Sequence, residues 1–381
     1  MRGKTRTIVF SLLLATIPTA LLGIGVIAGY YLTIRGFRND LIAYNKAEAM
    51  GDLLTSSERL DVSRAYYNSA QAAKDMDKYC WSVPTAMAPF VGYACIPGKS
   101  LNATVNSMQF RADKELATPK PSNTYRIFLT GGSAAFSSGA PSEDSTIGAY
   151  LSALLNRELA SPVKKTFEVF TMAAPAWTTT HERIMIENRL SELSVDLVIS
   201  LSGVNDVHWG KRGRNVFWFR SYPDELYWRS LDRAYRLSGF GGMHSVISIQ
   251  KEPIAPSLVA DRLEKNVRSG GYALSLAGVP YVFCLQPVLP MTKKNLTKHE
   301  REWLAKSSGD YFLECYREMD DGLRGIRMEH FHYFNISDVF DSGYDDVDIF
   351  IDNLHFGDRG NRIIAERIFR EVRNVLPESA R

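Results

Sequence analysis

Three short stretches of the sequence carry side chains that can perform nucleophilic chemistry. In Gly131-Gly132-Ser133, two glycines allow a sharp turn that presents a serine beside free backbone N–H groups. In Gly203-Val204-Asn205-Asp206, the asparagine amide is a directed N–H donor of the kind that stabilises an oxyanion. In Asp352-Asn353-Leu354-His355, the carboxylate can orient the imidazole, whose other nitrogen then accepts a serine proton. The three stretches together contain a nucleophile, an oxyanion donor and an oriented base.

Each stretch alone also has an ordinary structural interpretation. Gly-Gly-Ser is a common turn, and Asn-Asp is a common helix cap. An aspartate near a histidine is often a surface residue beside a partly buried ring. What favours chemistry is that all three stretches fall at predicted loop positions of one domain, in an order that completes a reaction site.

The strands and helices that must position these residues alternate along the chain. Strand and helix alternating in this way predict an α/β fold, a three-layer α/β/α sandwich with a mainly parallel, flavodoxin-like sheet. Ligands of such sheets bind beyond the carboxyl ends of the strands, where Ser133 and Asn205 lie. The predicted strands are 125–130, 167–171, 195–201, 279–285 and 331–336, and the predicted helices are 147–159, 181–193, 256–277 and 359–375.

The N-terminus carries a long apolar run, 8–34, between basic residues on both sides. A bilayer span needs about 20 apolar residues, whereas the apolar region of a cleavable signal peptide has only about 7–15. The run therefore favours an uncleaved single-pass anchor over a signal peptide. Three basic residues before the span and two after it favour a cytoplasmic N-terminus, which places the rest of the chain on the periplasmic or extracellular side.

Composition and spacing divide the remaining chain. Residues 1–38 are predicted to be the cytoplasmic tail and anchor, 39–122 a helical stalk and loop-rich segment, and 123–381 the catalytic domain. Within the last, residues 207–245 form an aromatic-rich insertion with several arginines. It is either a lid or sugar-stacking surface over a site, or a local hydrophobic cluster that seats the insertion. The stretch 39–75 is predicted to be helical throughout.

Charge and cysteine content limit the classes of partner. With 45 Lys and Arg against 42 Asp and Glu, the net charge of +3 gives no reason to expect a nucleic-acid partner. Four cysteines suit an exported domain, and Cys80 with Cys95 is the predicted pair. His330 and His332 lack a convincing third ligand, so neither a metal nor another cofactor is expected.

The order of the three reactive stretches resembles the SGNH, or GDSL-type, hydrolase superfamily, over roughly residues 125–375. Members of that superfamily begin with a Gly-Asp-Ser turn, continue through a glycine block and Gly-x-Asn-Asp, and end with Asp-x-x-His. The resemblance implies that Ser133 is the nucleophile and that Asp352 and His355 complete the triad. It further implies an oxyanion hole formed by the Ser133 amide, Asn205 and a residue of the second block.

Two positions depart from the family pattern. The second block reads Thr171-Met172-Ala173-Ala174, with Ala173 aligned at the usual glycine. Because an oxyanion hole uses the backbone N–H, alanine can serve there if its φ/ψ is allowed. Gly132 replaces the family's aspartate, which is not a triad member. Gly-Gly-Ser variants occur among relatives that handle cell-surface polymers. Because 89–93 is also similar to those relatives, residues 80–122 are expected to wrap the catalytic domain.

The sequence leaves three candidate functions, of which the resemblance implies the first two and the altered second block supports the third. The first is a serine-dependent ester hydrolase that forms an acyl-enzyme from an O-acylated carbohydrate or lipid outside the cytoplasm. The second is an O-acyltransferase that passes the acyl group to a cell-surface polysaccharide. The third, from another class, is an anchored scaffold or glycan-binding protein without chemistry. The acyl group, the alcohol and the oligomeric state are not indicated by the sequence.

Overall fold

A computed structural model describes residues 2–159, 166–213, 222–241, 252–307 and 309–378 of the chain. The α-helices are α1 (Arg2–Tyr44), α2 (Ser56–Ser63), α3 (Ser69–Asp75), α4 (Ser133–Phe136), α5 (Ile147–Glu158), α6 (Thr179–Asn188), α7 (Val204–Lys211), α8 (Tyr222–Leu237), α9 (Pro256–Leu276), α10 (Lys298–Lys306), α11 (Gly309–Arg324) and α12 (Asp358–Val372). The strands are β1 (Glu48–Ala49), β2 (Cys80–Ser82), β3 (Thr85–Ala88), β4 (Gly92–Cys95), β5 (Gly98–Ser100), β6 (Ala103–Val105), β7 (Thr124–Gly131), β8 (Thr166–Ala173), β9 (Leu197–Ser202), β10 (Tyr281–Leu285) and β11 (Phe331–Asn335).

Five parallel strands form the central sheet, in the order β11-β10-β9-β7-β8. This is the flavodoxin-like order, in which the first strand of the sheet lies between the second and the third. β7, β9 and β10 are buried at every residue, as parallel strands are when helices cover both faces. The predicted α/β fold and all five predicted strands are confirmed. The order of the connections reverses between β7 and β9, so a cleft opens where these two strands end.

Two groups of helices pack around the sheet. α5 packs against α12, and α9 packs against both α6 and α11. The predicted helices 147–159, 256–277 and 359–375 are found to within three residues at each end, whereas α10 and α11 were not predicted. The apolar stripe of α12 is buried at Ile363, Ile364, Ile368 and Val372, which fixes the segment just before it, containing Asp352 and His355, to the domain.

The prediction of continuous helix over 39–75 is wrong. α1 ends at Tyr44, and a new helix, α2, begins after Thr55, whose hydroxyl and backbone form a capping box with Glu58. The chain turns because its apolar side chains are buried in a small separate cluster. That cluster also includes Ile351, next to Asp352; its members are Met50, Val62, Ala65, Tyr66, Ala72, Met76, Tyr79 and Ile351.

Residues 45–122, which we call the N-terminal extension, pack directly on the loops that follow Ser133 and His355. The Tyr66 hydroxyl donates to the Gly139 carbonyl at 2.8 Å, and the Tyr67 amide donates to Asp358 Oδ1 at 3.0 Å. Arg111 Nη1 donates to the Phe136 carbonyl at 2.6 Å. The extension therefore holds both loops of the candidate site in place.

The cysteines are unpaired, which corrects the predicted pairing of Cys80 with Cys95. All four are free and buried. The two thiols lie on different strands, since Cys95 in β4 lies opposite Thr85 while Cys80 in β2 lies opposite Ala49. Burial raises the pKa of the Cys80 thiol to about 11 and that of Cys95 to about 12, so both stay protonated at neutral pH.

One helical stretch among the described residues, Thr16–Asn39 in α1, is long and apolar enough to cross a membrane. Its 24 residues extend about 36 Å at 1.5 Å per residue, enough for a hydrocarbon core of about 30 Å. It overlaps the predicted span 8–34. Of the aromatic insertion 207–245, the structure describes 207–213 and 222–241, whereas Phe217, Trp218 and Phe219 lie outside the described residues.

Candidate active site

Ser133 is the first residue of α4 and follows strand β7 after a single residue, Gly132. The two glycines before it are required by close packing. A Cβ at Gly131, whose φ is +151°, would lie 2.3 Å from the Leu201 carbonyl oxygen. A Cβ at Gly132 would lie 2.2 Å from Asn205 Nδ2. A side chain at position 132 would therefore displace the Asn205 amide, so glycine suits this turn.

The structure brings the predicted triad together. Ser133 Oγ lies 2.6 Å from His355 Nε2, and His355 Nδ1 lies 2.7 Å from Asp352 Oδ2. Asp352 Oδ1 also accepts hydrogen bonds from the backbone amides of Leu354, at 2.6 Å, and His355, at 2.7 Å. These distances connect hydroxyl, imidazole and carboxylate in one chain of contacts, the arrangement that activates a serine.

The Asp352 carboxylate is kept ionised by its surroundings. Burial raises its pKa, but the neighbouring imidazole of His355 and the hydrogen bonds it accepts lower the pKa more, so that it lies below its usual value. Because an ionised carboxylate only accepts hydrogen bonds, it holds the proton of His355 on Nδ1. The Nε2 lone pair then faces Ser133.

Asn205 follows β9, on the other side of the cleft between β7 and β9, in the first turn of α7. Gly203 before it has a φ of +112°, and a Cβ there would lie 2.7 Å from Leu285 Cδ1. Asn205 Nδ2 donates to the Trp177 carbonyl at 2.7 Å. Since a primary amide nitrogen carries two hydrogens, one remains for an oxygen bound beside Ser133.

Two alanines of the segment that ends β8 and follows it, Ala173 and Ala176, differ in their backbone surroundings. Ala173 ends β8 opposite Gly131, and its carbonyl faces the thiol of Cys95 at 3.7 Å. Ala176 has a φ of +68°, the left-handed conformation that favours glycine. The Trp177 carbonyl next to it lies by Gly132 and Asn205. The role of Ala173 stays a prediction, and Ala176 is a second candidate donor that the sequence did not indicate, because alanine gives no signal of a left-handed turn.

Two further side chains near the triad were not predicted. Trp81 in β2 packs against the His355 ring, with ring centroids 4.5 Å apart at an angle of 65°. His208 lies one helical turn after Asn205 and so on the same face of α7. Burial lowers the pKa of His208 to about 4, so its ring is neutral at pH 7 and offers one hydrogen-bond donor and one acceptor.

Two buried carboxyl groups lie next to the ends of β7 and β9. Glu182 in α6 is 1 % exposed, and neither of its carboxylate oxygens has a partner in regular hydrogen-bond geometry among the residues that the structure describes. Burial raises the pKa of Glu182 to about 7. Asp206 accepts from the Thr179 hydroxyl and amide, at 2.7 and 3.1 Å, yet burial raises its pKa to about 6.

The raised pKa of Glu182 predicts that stability falls as pH rises. The folded protein retains a proton on Glu182 between about pH 4.5 and 7, where the unfolded chain releases it, so the free energy of unfolding decreases across that window. The full effect is about 3 kcal/mol, from 1.36 kcal/mol per pKa unit. We expect Glu182→Gln to match the wild type near pH 4.5 and to melt at a higher temperature at pH 8.

Thermal melts at pH 4.5 to 8 measure this effect. Glu187→Gln is the control, because Glu187 lies on the same helix, is exposed and faces Arg183 at 3.8 Å. The prediction would be contradicted if the melting temperatures of the wild type and of Glu182→Gln depended on pH in the same way.

His330 and His332 do not form part of this site. His330 Nε2 lies 3.4 Å from Glu329 Oε1, at the start of β11. In the described ranges, no group of three or more His, Cys, Asp or Glu side chains is arranged to hold a metal ion.

Neither a protein-family model nor a curated protein matches the sequence. Solved structures are similar in fold. A lipase/acylhydrolase from Enterococcus faecalis has a TM-score of 0.41 at 14% identity, over 66% of this chain and 97% of its own. An acetylxylan esterase from Geobacillus stearothermophilus has 0.37 at 14% identity, over 68% and 96%. A putative acylhydrolase from Bacteroides fragilis has 0.39 at 10% identity, over 69% and 93%.

Proposed function

We propose that the chain is a serine-dependent ester hydrolase of the SGNH type that works through an acyl-enzyme. The observation that carries the proposal is the chain of contacts from Ser133 Oγ to His355 Nε2 and from His355 Nδ1 to Asp352 Oδ2, at 2.6 and 2.7 Å. A scaffold without chemistry has no need of a serine hydroxyl held within hydrogen-bond distance of an oriented imidazole. The geometry therefore supports catalysis over the non-catalytic alternative.

The reaction proceeds in two halves. Ser133 Oγ attacks the acyl carbonyl carbon as its proton moves to His355 Nε2. The bond from the carbonyl carbon to the alcohol oxygen then breaks, and Nε2 returns the proton to the leaving alkoxide. In the second half water attacks the acyl carbon as its proton moves to His355 Nε2. The bond from that carbon to Ser133 Oγ then breaks, Nε2 returns the proton to Oγ, and the carboxylic acid leaves. Asp352 stabilises the imidazolium in both halves.

The oxyanion formed in each half needs donors that are already oriented. We propose the Ser133 amide, the free Nδ2 hydrogen of Asn205, and one amide of the turn after β8. Within that turn Ala173 is the residue that the family alignment indicates. Ala176 is favoured by its left-handed backbone and by its place beside the Asn205 contact.

We further propose that α1 anchors the enzyme in a membrane and that residues 39–122 join this anchor to a catalytic domain over 123–381. The substrate is then an O-acylated carbohydrate or lipid on the extracytoplasmic side. Support comes from the apolar stretch Thr16–Asn39 and from the basic residues at both ends of the predicted span.

Covalent labelling tests the proposed nucleophile. The full chain in detergent is treated with an alkyl fluorophosphonate, in which attack by an activated serine forms an O–P bond and expels fluoride. Mass spectrometry of the digest should place the adduct on Ser133. Ser137 and Ser138 serve as internal controls, because the Ser137 hydroxyl accepts from the Ile147 amide and Ser138 donates to the Trp81 carbonyl. The proposal would be refuted if the adduct were found on Ser137 or Ser138 in place of Ser133, or if no adduct formed at all.

Transfer of the acyl group to a sugar hydroxyl would use the same acyl-enzyme and differ only in the acceptor. Acetate release is therefore measured with and without an oligosaccharide, and the sugar is analysed by mass spectrometry. Release that is unchanged, with no acetylated sugar, agrees with hydrolysis. If acetylated sugar formed faster than free acetate, the assigned activity would be acyl transfer and not hydrolysis.

A further inference from the structure

Trp81 is the part of the N-terminal extension that reaches the triad. Its indole packs edge-on against the imidazole of His355, with ring centroids 4.5 Å apart. The indole is half-buried, so part of its surface remains exposed to solvent. His355 in turn lies 2.6 Å from the Ser133 hydroxyl. Trp81 is thus the immediate neighbour of the group that moves the proton.

The position of Trp81 relative to Ser133 is fixed by the backbone. The Trp81 carbonyl accepts from Ser138 Oγ at 2.6 Å, and the Cys80 carbonyl accepts from the Gly139 amide at 2.8 Å. Both donors belong to the loop that follows α4. The inner part of the indole packs on the small apolar cluster that includes Ile351. Strand β2 is therefore attached to both loops that carry the triad.

The chemistry assigns this neighbourhood to the alcohol half of the ester. His355 Nε2 gives its proton to the leaving oxygen, so the alcohol must lie on the imidazole side of the scissile bond. The acyl oxygen lies instead near Asn205, where the amide donor is. A group that packs on His355 consequently borders the alcohol and not the acyl chain.

An accessible indole suits an alcohol with a flat apolar face. Aromatic side chains bury large apolar areas, and recognition sites combine them with a few polar groups that fix orientation. The C–H face of a pyranose ring offers the apolar area, and its hydroxyls need polar partners. His208, a half-buried imidazole on the same face of α7 as Asn205, is such a partner.

We propose that Trp81 forms a subsite for the leaving alcohol and selects ring-shaped polyols, such as pyranosides, over open-chain alcohols. The inference rests on the proposed ester hydrolysis and adds the chemical class of the alcohol. It also gives the N-terminal extension a role in substrate choice, since the extension supplies the selecting side chain.

Two acetyl esters test the subsite. The full chain in detergent is assayed for acetate release from a methyl 6-O-acetyl-pyranoside and from 2-methoxyethyl acetate, which lacks the ring. Both esters form the same acetyl-enzyme, so any defect in deacylation affects them alike. We expect Trp81→Leu, which keeps an apolar side chain but lacks the aromatic face, to lower kcat/KM for the pyranoside about tenfold and for the open-chain ester less than about threefold.

Trp81→Phe should recover most of the preference for the pyranoside, because it restores an aromatic face. Trp303→Leu is the matched control, since Trp303 packs edge-on against His299 with ring centroids 5.8 Å apart, in α10. It should leave both esters unaffected. Equal losses on the two esters, or no loss on either, would overturn the subsite. Failure of the proposed function is distinguishable, because the wild type would then hydrolyse neither ester and Ser133 would not be labelled.

Discussion

Replacing Ser133 with alanine is expected to lower kcat/KM for a short-chain acetyl ester by about four orders of magnitude or more. The substitution removes the only atom that can form the acyl-enzyme in the proposed reaction. What remains is the oxyanion site and substrate binding, which accelerate attack by water far less than the complete triad does. Acetate release from the full chain in detergent, corrected for a protein-free blank, measures the loss.

The fold should not suffer from this change, because Ser133 makes its contact through the hydroxyl and alanine is a good helix former at the start of α4. Unchanged circular dichroism would verify this. Ser142→Ala is the control, since the Ser142 hydroxyl contacts that of Ser145 at 2.8 Å in the segment between α4 and α5. A Ser133→Ala protein as active as Ser142→Ala would exclude Ser133 as the nucleophile.

The sheet was predictable from the sequence because its strands are buried on both faces. Such strands appear as short continuous apolar runs, and β7, β9 and β10 each follow that pattern. The placement of Ser133 and Asn205 then followed from topology. Each comes directly after a strand, and the carboxyl ends of parallel strands meet at one edge of the sheet.

The N-terminal extension was less predictable because long-range contacts decide its path. Residues between Tyr44 and Asp75 have ordinary helical propensity, but Tyr66 and Met76 are buried against Ile351, far away in the sequence. One local signal was present. Thr55 and Glu58 stand three residues apart, the spacing of a capping box, and α2 begins there.

The contacts around the triad were also not predictable from the sequence, for two physical reasons. The packing of Trp81 on His355 depends on how β2 attaches to the loop after Ser133, and no periodicity encodes that attachment. The left-handed turn at Ala176 is set by the packing of the segment between β8 and α6. A glycine there would have indicated the turn, whereas an alanine does not.

Replacing Asp352 with asparagine should lower kcat/KM by about 10³- to 10⁴-fold while leaving the fold intact. The asparagine oxygen can still accept from the amides of Leu354 and His355, so the turn is retained. Its NH₂ group, however, would face His355 Nδ1 at 2.7 Å in place of the carboxylate. Two donors cannot share a hydrogen bond, so the proton of His355 moves to Nε2. That nitrogen then points a hydrogen at Ser133 Oγ and cannot accept the serine proton.

Steady-state acetate release and the rate of fluorophosphonate labelling should fall together in Asp352→Asn, because both reactions need an activated Ser133. Asp348→Asn is the control, since Asp348 is a buried carboxylate of the same segment that accepts from the Thr297 hydroxyl at 2.5 Å. It should retain activity within about threefold, as its contact is remote from the imidazole. If Asp352→Asn kept its labelling rate, or if Asp348→Asn lost as much activity, Asp352 would be a structural residue of the turn and not the group that orients His355.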